Sequence, residues 1–470
     1  MPSVGVQQLT SSLSPVDAFD RIAAEPLPFF LDSALASPRL ARWSFLGCRP
    51  FTVLRSTRRH VEVVRNGEAR VSHGNPFGTL RELLRRYRVG ACDAPVPFTA
   101  GAVGYLGYDL CHQVERLPQT AQADIGLPEL WLGFYDAALA YDHAAKTWWA
   151  CAADSGSAAR AEARVCAKID GLADLLERRN PGWAAPSRAT SDGLRSNFTR
   201  SEYLSAVVRT KDYIAAGDIF QANISQRFHA TLDAHPYQLY RRLRETNAAP
   251  FGAYLDLGGQ AVASSSPERF LRVTRGPAGW HVETRPIKGT RPRCDGDEPF
   301  NARMRAELLA SAKDNAELTM IVDLERNDLG RVCRYGSVRV TERAALEEYA
   351  SVYHLVATVE GDLHERYGIV DLLKAMFPGG SITGAPKIRA MEIIDELEPT
   401  RRSVYTGSIG YIGFDGTADL NIAIRTIVID GTSLYVQVGG GIVADSDPQL
   451  EYEETLHKGR AVFKALGCEL

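Results

Sequence analysis

The chain has 470 residues, of which 45% are hydrophobic and 24% are charged, and its formal net charge is −3. A chain of this length is too long for a single small hydrophobic core, so we expect either two domains or one large intertwined domain. No block of Lys and Arg occurs, which argues against a nucleic-acid partner and against binding to an anionic membrane surface.

The cellular compartment is predicted from membrane-span, targeting and cysteine patterns. No apolar run reaches the length of a membrane span, and residues 1–15 show no targeting pattern. The eight cysteines are scattered without a C-x-x-C pair, which favours reduced thiols over disulfides or a zinc site. We therefore expect a cytoplasmic protein.

Residues 1–180 are predicted to be mainly β structure. Short apolar runs alternate with turn signals, and Asn66-Gly67 is a hairpin cue. Helices are predicted near residues 77–87 and over residues 158–179. A stretch rich in Pro, Gly, Ser and Asn then predicts a linker at residues 181–197.

Residues 198–470 are predicted to form a second region. Thr199 and Glu202 form a capping pattern at the start of a helix, and further strands and helices follow in groups. Grouped elements predict α/β layers with large, mainly antiparallel β-sheets in a sandwich flanked by helices. The glycines at 101, 104 and 107 do not match a dinucleotide-binding motif.

Two acidic pairs have helical spacing. Asp314 and Glu317, like Glu451 and Glu454, are three residues apart in predicted helices, so each pair shares one helix face. Brought together, such faces could hold magnesium. The alternative is a solvated helix face.

Two glycine-rich stretches, residues 377–387 and 438–445, are predicted to be turns that expose backbone N–H groups to an anion. The alternative is that they are tight turns only. Tyr405 and Arg425 lie between the two stretches, and Lys458 follows the second one. Arg425 is in a predicted strand at residues 421–429. A buried arginine needs an anionic partner, so this set predicts a site for a small polycarboxylate.

Lys288 lies in a segment that is predicted to be a strand running into a turn, residues 282–293. It could be a strand-end lysine that reaches water. A buried lysine, however, can become neutral and act as a nucleophile.

Nine stretches of the sequence occur in an order that is typical of one enzyme family. They are GDIFQANISQRF (217–228), SSSPERF (264–270), PIKGTRPR (286–293), MIVDLERNDLGR (320–331), HLVATVEG (354–361), FPGGSITGAPKIRAMEIIDELEP (377–399), YTGSIGYIG (405–413), AIRT (423–426) and GGGIVADSDPQLEYEE (439–454). Together they resemble the chorismate-utilising enzymes, the family that includes anthranilate synthase component I and aminodeoxychorismate synthase component I. The resemblance covers nearly the whole chain and is strongest over residues 197–470.

The resemblance implies a set of site residues. It implies that magnesium binds chiefly to Glu317 and Glu454, with support from Asp314 and Glu451. It implies catalytic roles for Lys288, Glu268 and His354. It implies that chorismate contacts Gln221, Gly289, Thr290, Thr383, Gly384, Tyr405, Arg425, Gly439, Gly440, Gly441 and Lys458.

Two positions distinguish branches of the family. Lys288 stands where anthranilate synthases typically have alanine, and this version resembles the aminodeoxychorismate synthases. Gln221 stands where members that add water usually have lysine, and glutamine cannot act as a base at pH 7. We therefore expect ammonia addition to chorismate through a Lys288 adduct. The alternatives are an anthranilate synthase component I and a non-catalytic chorismate or tryptophan sensor.

The partners follow from the same resemblance. The chain has no motif for splitting glutamine, so ammonia would come from solution or from a separate glutaminase subunit. The family also has a tryptophan pocket, and the residues here that match it are Ser33, Pro250 and Phe251.

Overall fold

The computed structural model describes residues 3–35, 40–90, 94–156, 160–186, 188–190, 193–277, 279–349 and 352–468. Cys92 and positions 187, 191 and 192 of the predicted linker lie outside the described residues. None of the seven cysteines within these ranges is in a disulfide bond. Within the same ranges, no helix is long and apolar enough to cross a membrane.

The strands before the predicted linker confirm the β-rich first region. They are β1 (Ser3–Leu9), β2 (Phe29–Asp32), β3 (Trp43–Gly47), β4 (Thr52–Thr57), β5 (His60–Arg65), β6 (Glu68–His73), β7 (Gly101–Leu106), β8 (Leu130–Tyr135), β9 (Ala137–Asp142) and β10 (Thr147–Asp154). Asn66 and Gly67 have φ values of 52° and 81° and connect β5 to β6 as the predicted hairpin.

The later strands are β11 (Arg195–Ser196), β12 (Gln221–Thr231), β13 (Phe251–Asp256), β14 (Gln260–Ser266), β15 (Arg269–Gly276), β16 (Gly279–Arg285), β17 (Ile287–Pro292), β18 (Arg339–Glu348), β19 (Val352–Asp362), β20 (Gly384–Ala385), β21 (Ser408–Gly413), β22 (Ala418–Asn421), β23 (Thr426–Asp430) and β24 (Ser433–Ile442). The segment that carries Lys288 is thus divided at Pro286 into β16 and β17, since proline cannot donate to a strand ladder.

The helices are α1 (Pro15–Ile22), α2 (Pro76–Arg86), α3 (Ala161–Glu177), α4 (Arg200–Ala215), α5 (Pro236–Thr246), α6 (Glu298–Ala310), α7 (Ala312–Gly330), α8 (Ile369–Met376), α9 (Lys387–Leu397) and α10 (Pro448–Leu466). Thr199 and Glu202 form the predicted capping box at α4. Ser311 separates α6 from α7 and caps the second helix by accepting from the Asp314 N–H.

The described strands form two sheets of twelve strands each, and neighbouring strands pair antiparallel. The first sheet has the order β1-β10-β9-β3-β2-β13-β14-β23-β24-β12-β11, with β20 against β12. The second has the order β17-β19-β16-β15-β22-β21-β7-β8-β4-β5-β6, with β18 against β19. Both sheets contain strands from both predicted regions, which are therefore intertwined. The boundary at residues 181–197 stays a prediction.

The two sheets pack face to face and helices cover their outer faces. Phe29 and Phe45 of the first sheet share a buried cluster with Tyr105 and Trp131 of the second. Helices α1, α3, α5 and α10 pack on the outer face of the first sheet, and α2, α6, α7 and α8 pack on that of the second. This arrangement confirms the predicted antiparallel sandwich flanked by helices.

Two local predictions are wrong. Gly439, Gly440 and Gly441 do not form a turn, because they lie inside β24 and pair with β12. A Cβ at position 439 would lie 2.6 Å from the Ile224 carbonyl oxygen, so close strand approach explains that glycine. Arg425 is not in a strand, because it lies in a bend before β23 with a φ of 51°.

Candidate active site

Lys288 is the second residue of β17 and pairs with Leu355 of β19. Its side chain is only 12% exposed, and its Nζ lies 3.9 Å from Glu317 Oε2. Burial lowers the pKa of Lys288, whereas the carboxylate of Glu317 opposes that effect. The amine therefore lies in the protein interior beside a carboxylate rather than in water.

A group of charged side chains, the acid–lysine cluster, joins α7, α10 and β17; its members are Glu317, Glu451, Glu454, Lys288, Lys313 and Lys458. Lys458 Nζ lies 2.6 Å from Glu454 Oε1, and Lys313 Nζ lies 3.6 Å from Glu451 Oε1. The Lys458 ammonium lowers the pKa of Glu454, while burial raises the pKa of Glu317. The site thus lies where the helices of the two sheets meet.

The predicted magnesium residues are on the predicted helix faces. Carboxylate oxygens are the ligands that magnesium prefers, so the chemistry of these donors fits the ion. Yet no three His, Cys, Asp or Glu side chains among the described residues are arranged to hold a metal. Lysines face the carboxylates instead, and Asp314 lies 3.1 Å from Arg291. Magnesium binding at this site therefore stays a prediction.

Gly440 of β24 lies beside the acid–lysine cluster, where a Cβ would make only ordinary contacts. A Cβ there would lie 3.4 Å from Glu451 Oε2, 3.5 Å from Lys458 Nζ and 3.6 Å from Glu454 Oε1. Lys458 also donates to the Gly439 carbonyl oxygen over 3.2 Å. The strand therefore presents backbone, not side chains, to this part of the cluster.

Glu268 lies between β14 and β15 and is 4% exposed. Its Oε1 accepts a hydrogen bond of 2.6 Å from the Ser381 hydroxyl. Burial raises the pKa of Glu268 to about 7, although Ser381 and the positive charge of Lys288 work against that rise. A carboxyl with this pKa can both give and take a proton near neutral pH.

His354 and Thr290 are brought together across β17 and β19. Thr290 Oγ1 and His354 Nδ1 are 2.9 Å apart. Burial and the nearby charge of Arg425 lower the pKa of His354 to about 3, so its imidazole is neutral. Burial also lowers the pKa of Arg425, which is the response of a guanidinium without full charge compensation.

Gln221 begins β12 and is 1% exposed. A Cβ at Gly441 would lie 2.0 Å from Gln221 Nε2, and one at Gly384 would lie 2.1 Å from the Gln221 carbonyl oxygen. Thr383 accepts through its carbonyl oxygen from the Asn223 N–H over 2.8 Å. These contacts hold the predicted substrate residues of both glycine-rich stretches around Gln221.

Two other predicted substrate residues lie beside these groups. Gly289 follows Lys288 with a φ of 75°, and a Cβ there would lie 2.9 Å from Asp314 Cγ. Tyr405 is 8% exposed, and burial raises the pKa of its hydroxyl. Its ring centroid lies 5.9 Å from the guanidinium carbon of Arg402.

The residues of the predicted tryptophan pocket line a separate cavity of about 270 Å³. Ser33, Pro250 and Phe251 form part of its wall, together with Asp32 and Arg269. Ser33 donates to the Trp43 carbonyl oxygen over 2.7 Å. Tryptophan binding stays a prediction for this cavity.

Three residues that contact the predicted site were not singled out from the sequence. Ser381 contacts Glu268, Lys313 contacts Glu451, and Asn223 donates through Nδ2 to the Ser381 carbonyl oxygen over 2.8 Å. Ser381 and Asn223 lie inside stretches that carry the family resemblance, and Lys313 directly precedes Asp314. Their position inside these stretches, or next to a predicted site residue, is the signal in the sequence that could have identified them.

Comparisons with known proteins match most of this chain. The family model described as chorismate binding enzyme matches residues 47–464. The chain is 40% identical over 462 residues to anthranilate synthase component 1 of Pseudomonas putida, covering 96% of this chain and 92% of that protein. It is 39% identical over 449 residues to aminodeoxychorismate synthase component 1 of Escherichia coli, covering 95% of both.

A solved structure, anthranilate synthase component I from Streptococcus pneumoniae, superposes with a TM-score of 0.79 at 31% identity. The alignment covers 91% of this chain and 93% of that one. The chain therefore belongs to the chorismate-binding enzyme family, as the sequence motifs predicted. It is a chorismate-utilising enzyme of the anthranilate synthase and aminodeoxychorismate synthase type.

Proposed function

We propose that this chain is an aminodeoxychorismate synthase component I, which converts chorismate and ammonia to 4-amino-4-deoxychorismate for 4-aminobenzoate and folate synthesis. The position of Lys288 carries this proposal. Its amine is buried 3.9 Å from Glu317, and its charge interacts with that of Glu268. A neutral amine held there is a suitable nucleophile for the substrate ring.

The stereochemistry of the reaction accounts for the lysine. Ammonia must replace the C4 hydroxyl with overall retention, which one direct displacement would not give. The Lys288 nitrogen bonds to C2, the ring electrons shift, and the C4–oxygen bond breaks. Ammonia then bonds to C4 while the C2–lysine bond breaks, so two inversions produce retention.

Glu268 supplies the protons for these two steps. Its protonated form gives a proton to the departing C4 oxygen, which leaves as water, and its ionised form then takes a proton from the incoming nitrogen. A pKa of about 7 suits both roles. Magnesium held by Glu317 and Glu454 would withdraw electron density through the substrate carboxylate and favour attack at C2.

The nitrogen source is a separate protein in this proposal. The relatives at 38–40% identity include several proteins named component 1, and the sequence has no nucleophile motif for glutamine hydrolysis. A glutaminase component would deliver ammonia to the site. The chain alone should use ammonium salts but not glutamine.

The test is product identification. The protein is incubated with chorismate, magnesium and an ammonium salt, and the products are identified by mass and fluorescence. The expected product is 4-amino-4-deoxychorismate without release of pyruvate. Fluorescent anthranilate with pyruvate would instead establish an anthranilate synthase component I, which the 40% identity to that protein in P. putida makes the second candidate. Chorismate that binds but stays unchanged would indicate a sensor.

A further inference from the structure

Glu325 is a buried acid that the chemistry above does not use. It lies in α7, and it is 2% exposed. Its Oε1 accepts a hydrogen bond of 2.9 Å from the Gly380 N–H. Its Oε2 is buried without a hydrogen-bond partner among the described residues. A buried carboxyl with one unpaired oxygen is costly and calls for an explanation.

The Gly380–Ser381 peptide connects Glu325 to Glu268, the proposed acid–base residue. Gly380 is followed by Ser381, whose hydroxyl donates to Glu268 Oε1 over 2.6 Å. A Cβ at Gly380 would lie 2.7 Å from Leu324 Cδ2 and 2.9 Å from Glu325 Oε1. The Gly380–Ser381 peptide therefore rests on α7 at Glu325, and its placement sets the position of the donor to Glu268.

Charged groups of both signs act on Glu325. Lys387 and Asp328 form an ion pair, and Lys387 also donates to the Met376 carbonyl oxygen over 3.0 Å. The charge of Lys387 lowers the pKa of Glu325, whereas the negative charges of Asp328 and Glu268 raise it. Burial raises the pKa of Glu325 to about 7, as it does for Glu268. Because the interaction between two charges is reciprocal, a negative charge on Glu325 also disfavours ionisation of Glu268.

We propose that Glu325 is a positioning residue for the proton transfers of Glu268: it fixes the Gly380–Ser381 peptide that carries the donor to Glu268, and its charge acts on the Glu268 carboxyl. This inference rests on the proposed function in one respect, the acid–base role of Glu268. It makes a separate statement about a side chain that does not touch the substrate.

Glu325→Gln separates charge from shape. Its amide oxygen can still accept from the Gly380 N–H, but the negative charge is gone. Loss of a nearby negative charge makes Glu268 ionise more readily, so the alkaline limb of the kcat profile should move to lower pH by on the order of 0.5 pH unit. A merely structural residue would leave that limb in place.

Glu325→Leu tests the hydrogen bond. It leaves the Gly380 N–H without its acceptor, and kcat should fall by about tenfold while the KM for chorismate changes little, because the donor to Glu268 is displaced. Glu325→Gln should restore most of this kcat. Glu129→Gln is the matched control: Glu129 is 7% exposed and burial raises its pKa to about 7, but it faces Asp109, Arg58 and Arg401.

The outcomes separate the two proposals. A native protein that does not consume chorismate in the presence of magnesium and ammonium overturns the proposed function. If the native protein is active and the pH profile of Glu325→Gln matches those of the native protein and Glu129→Gln, the role of Glu325 is overturned. Circular dichroism establishes folding, and Glu325→Gln decides the matter alone if Glu325→Leu does not fold.

Discussion

The Nζ of Lys288 lies 3.9 Å from Oε2 of Glu317, so the candidate nucleophile and a candidate magnesium ligand form one ion pair. Lys288 belongs to β17 and Glu317 to α7. A change at Glu317 therefore alters both the predicted metal site and the charge around the amine. Glu454 pairs with Lys458 rather than with Lys288, so a change at Glu454 tests the predicted metal site without removing the ion-pair partner of the nucleophile.

Glu317→Gln and Glu454→Gln should each reduce turnover by more than about 100-fold, since loss of a direct ligand should exceed the 10–100-fold effects known for outer-shell partners. Each change removes charge with little change in volume. Magnesium affinity measured by calorimetry should fall in parallel. Glu453→Gln, an exposed change on α10, is the control and should leave both quantities unaltered. Near-native activity of either variant at limiting magnesium would show that its glutamate is not a ligand.

Lys288 should form a covalent adduct when ammonia is withheld. The peptide that contains Lys288 should be heavier by chorismate less water in mass spectra after acid quench, and no borohydride is needed because the bond is a secondary amine. Adding ammonia before the quench should discharge the adduct and release 4-amino-4-deoxychorismate.

Lys288→Ala should lose the adduct and slow turnover by more than about 100-fold, because the two-step route depends on the amine. Added primary amines should restore part of the rate if they enter the vacated space. Lys168→Ala, which removes a lysine paired with Asp136, is the control and should behave as the native protein. A Lys288→Ala variant that turns over at the native rate would refute amine catalysis.

Gln221→Lys should let water compete with ammonia. A lysine at this buried position supplies a base on the C2 side of the ring, so product of the isochorismate type should become detectable by chromatography. Gln221→Met, which has similar length and no basic group, should not yield this product. A stable lysine variant with unaltered products would mean that residue 221 does not select the nucleophile.

Ser381→Ala should move the pH profile opposite to Glu325→Gln. Glu268 must be protonated to release the C4 oxygen, so kcat falls as pH rises through its pKa of about 7. The Ser381 hydroxyl stabilises the ionised form, and its loss should raise that pKa and shift the alkaline limb to higher pH by on the order of one unit. Ser205→Ala, an exposed change on α4, should leave the limb in place. A shift to lower pH in Ser381→Ala would contradict this contact.

The sequence by itself determined the family and the antiparallel layers, and it predicted most residues of the candidate site. Helical spacing placed Asp314 with Glu317 on one helix face, because a period of 3.6 residues is a local property. The ordered motifs likewise selected Lys288 and Glu268, because those residue types in that order match the chemistry of one family. Such features depend on neighbours along the chain.

Only the tertiary structure decided which distant groups meet. The pairs Lys288–Glu317, Lys313–Glu451 and Ser381–Glu268 join different elements. Gly439 was predicted to be in a turn because glycine is typical of turns, but its cause is the close approach of β12, which no local pattern encodes. Arg425 was placed in a strand by its apolar neighbours, yet its positive φ arises from the bend before β23. Strand pairing and burial set these environments, since both depend on residues that are distant along the chain, such as Glu268, which is 113 positions from Ser381.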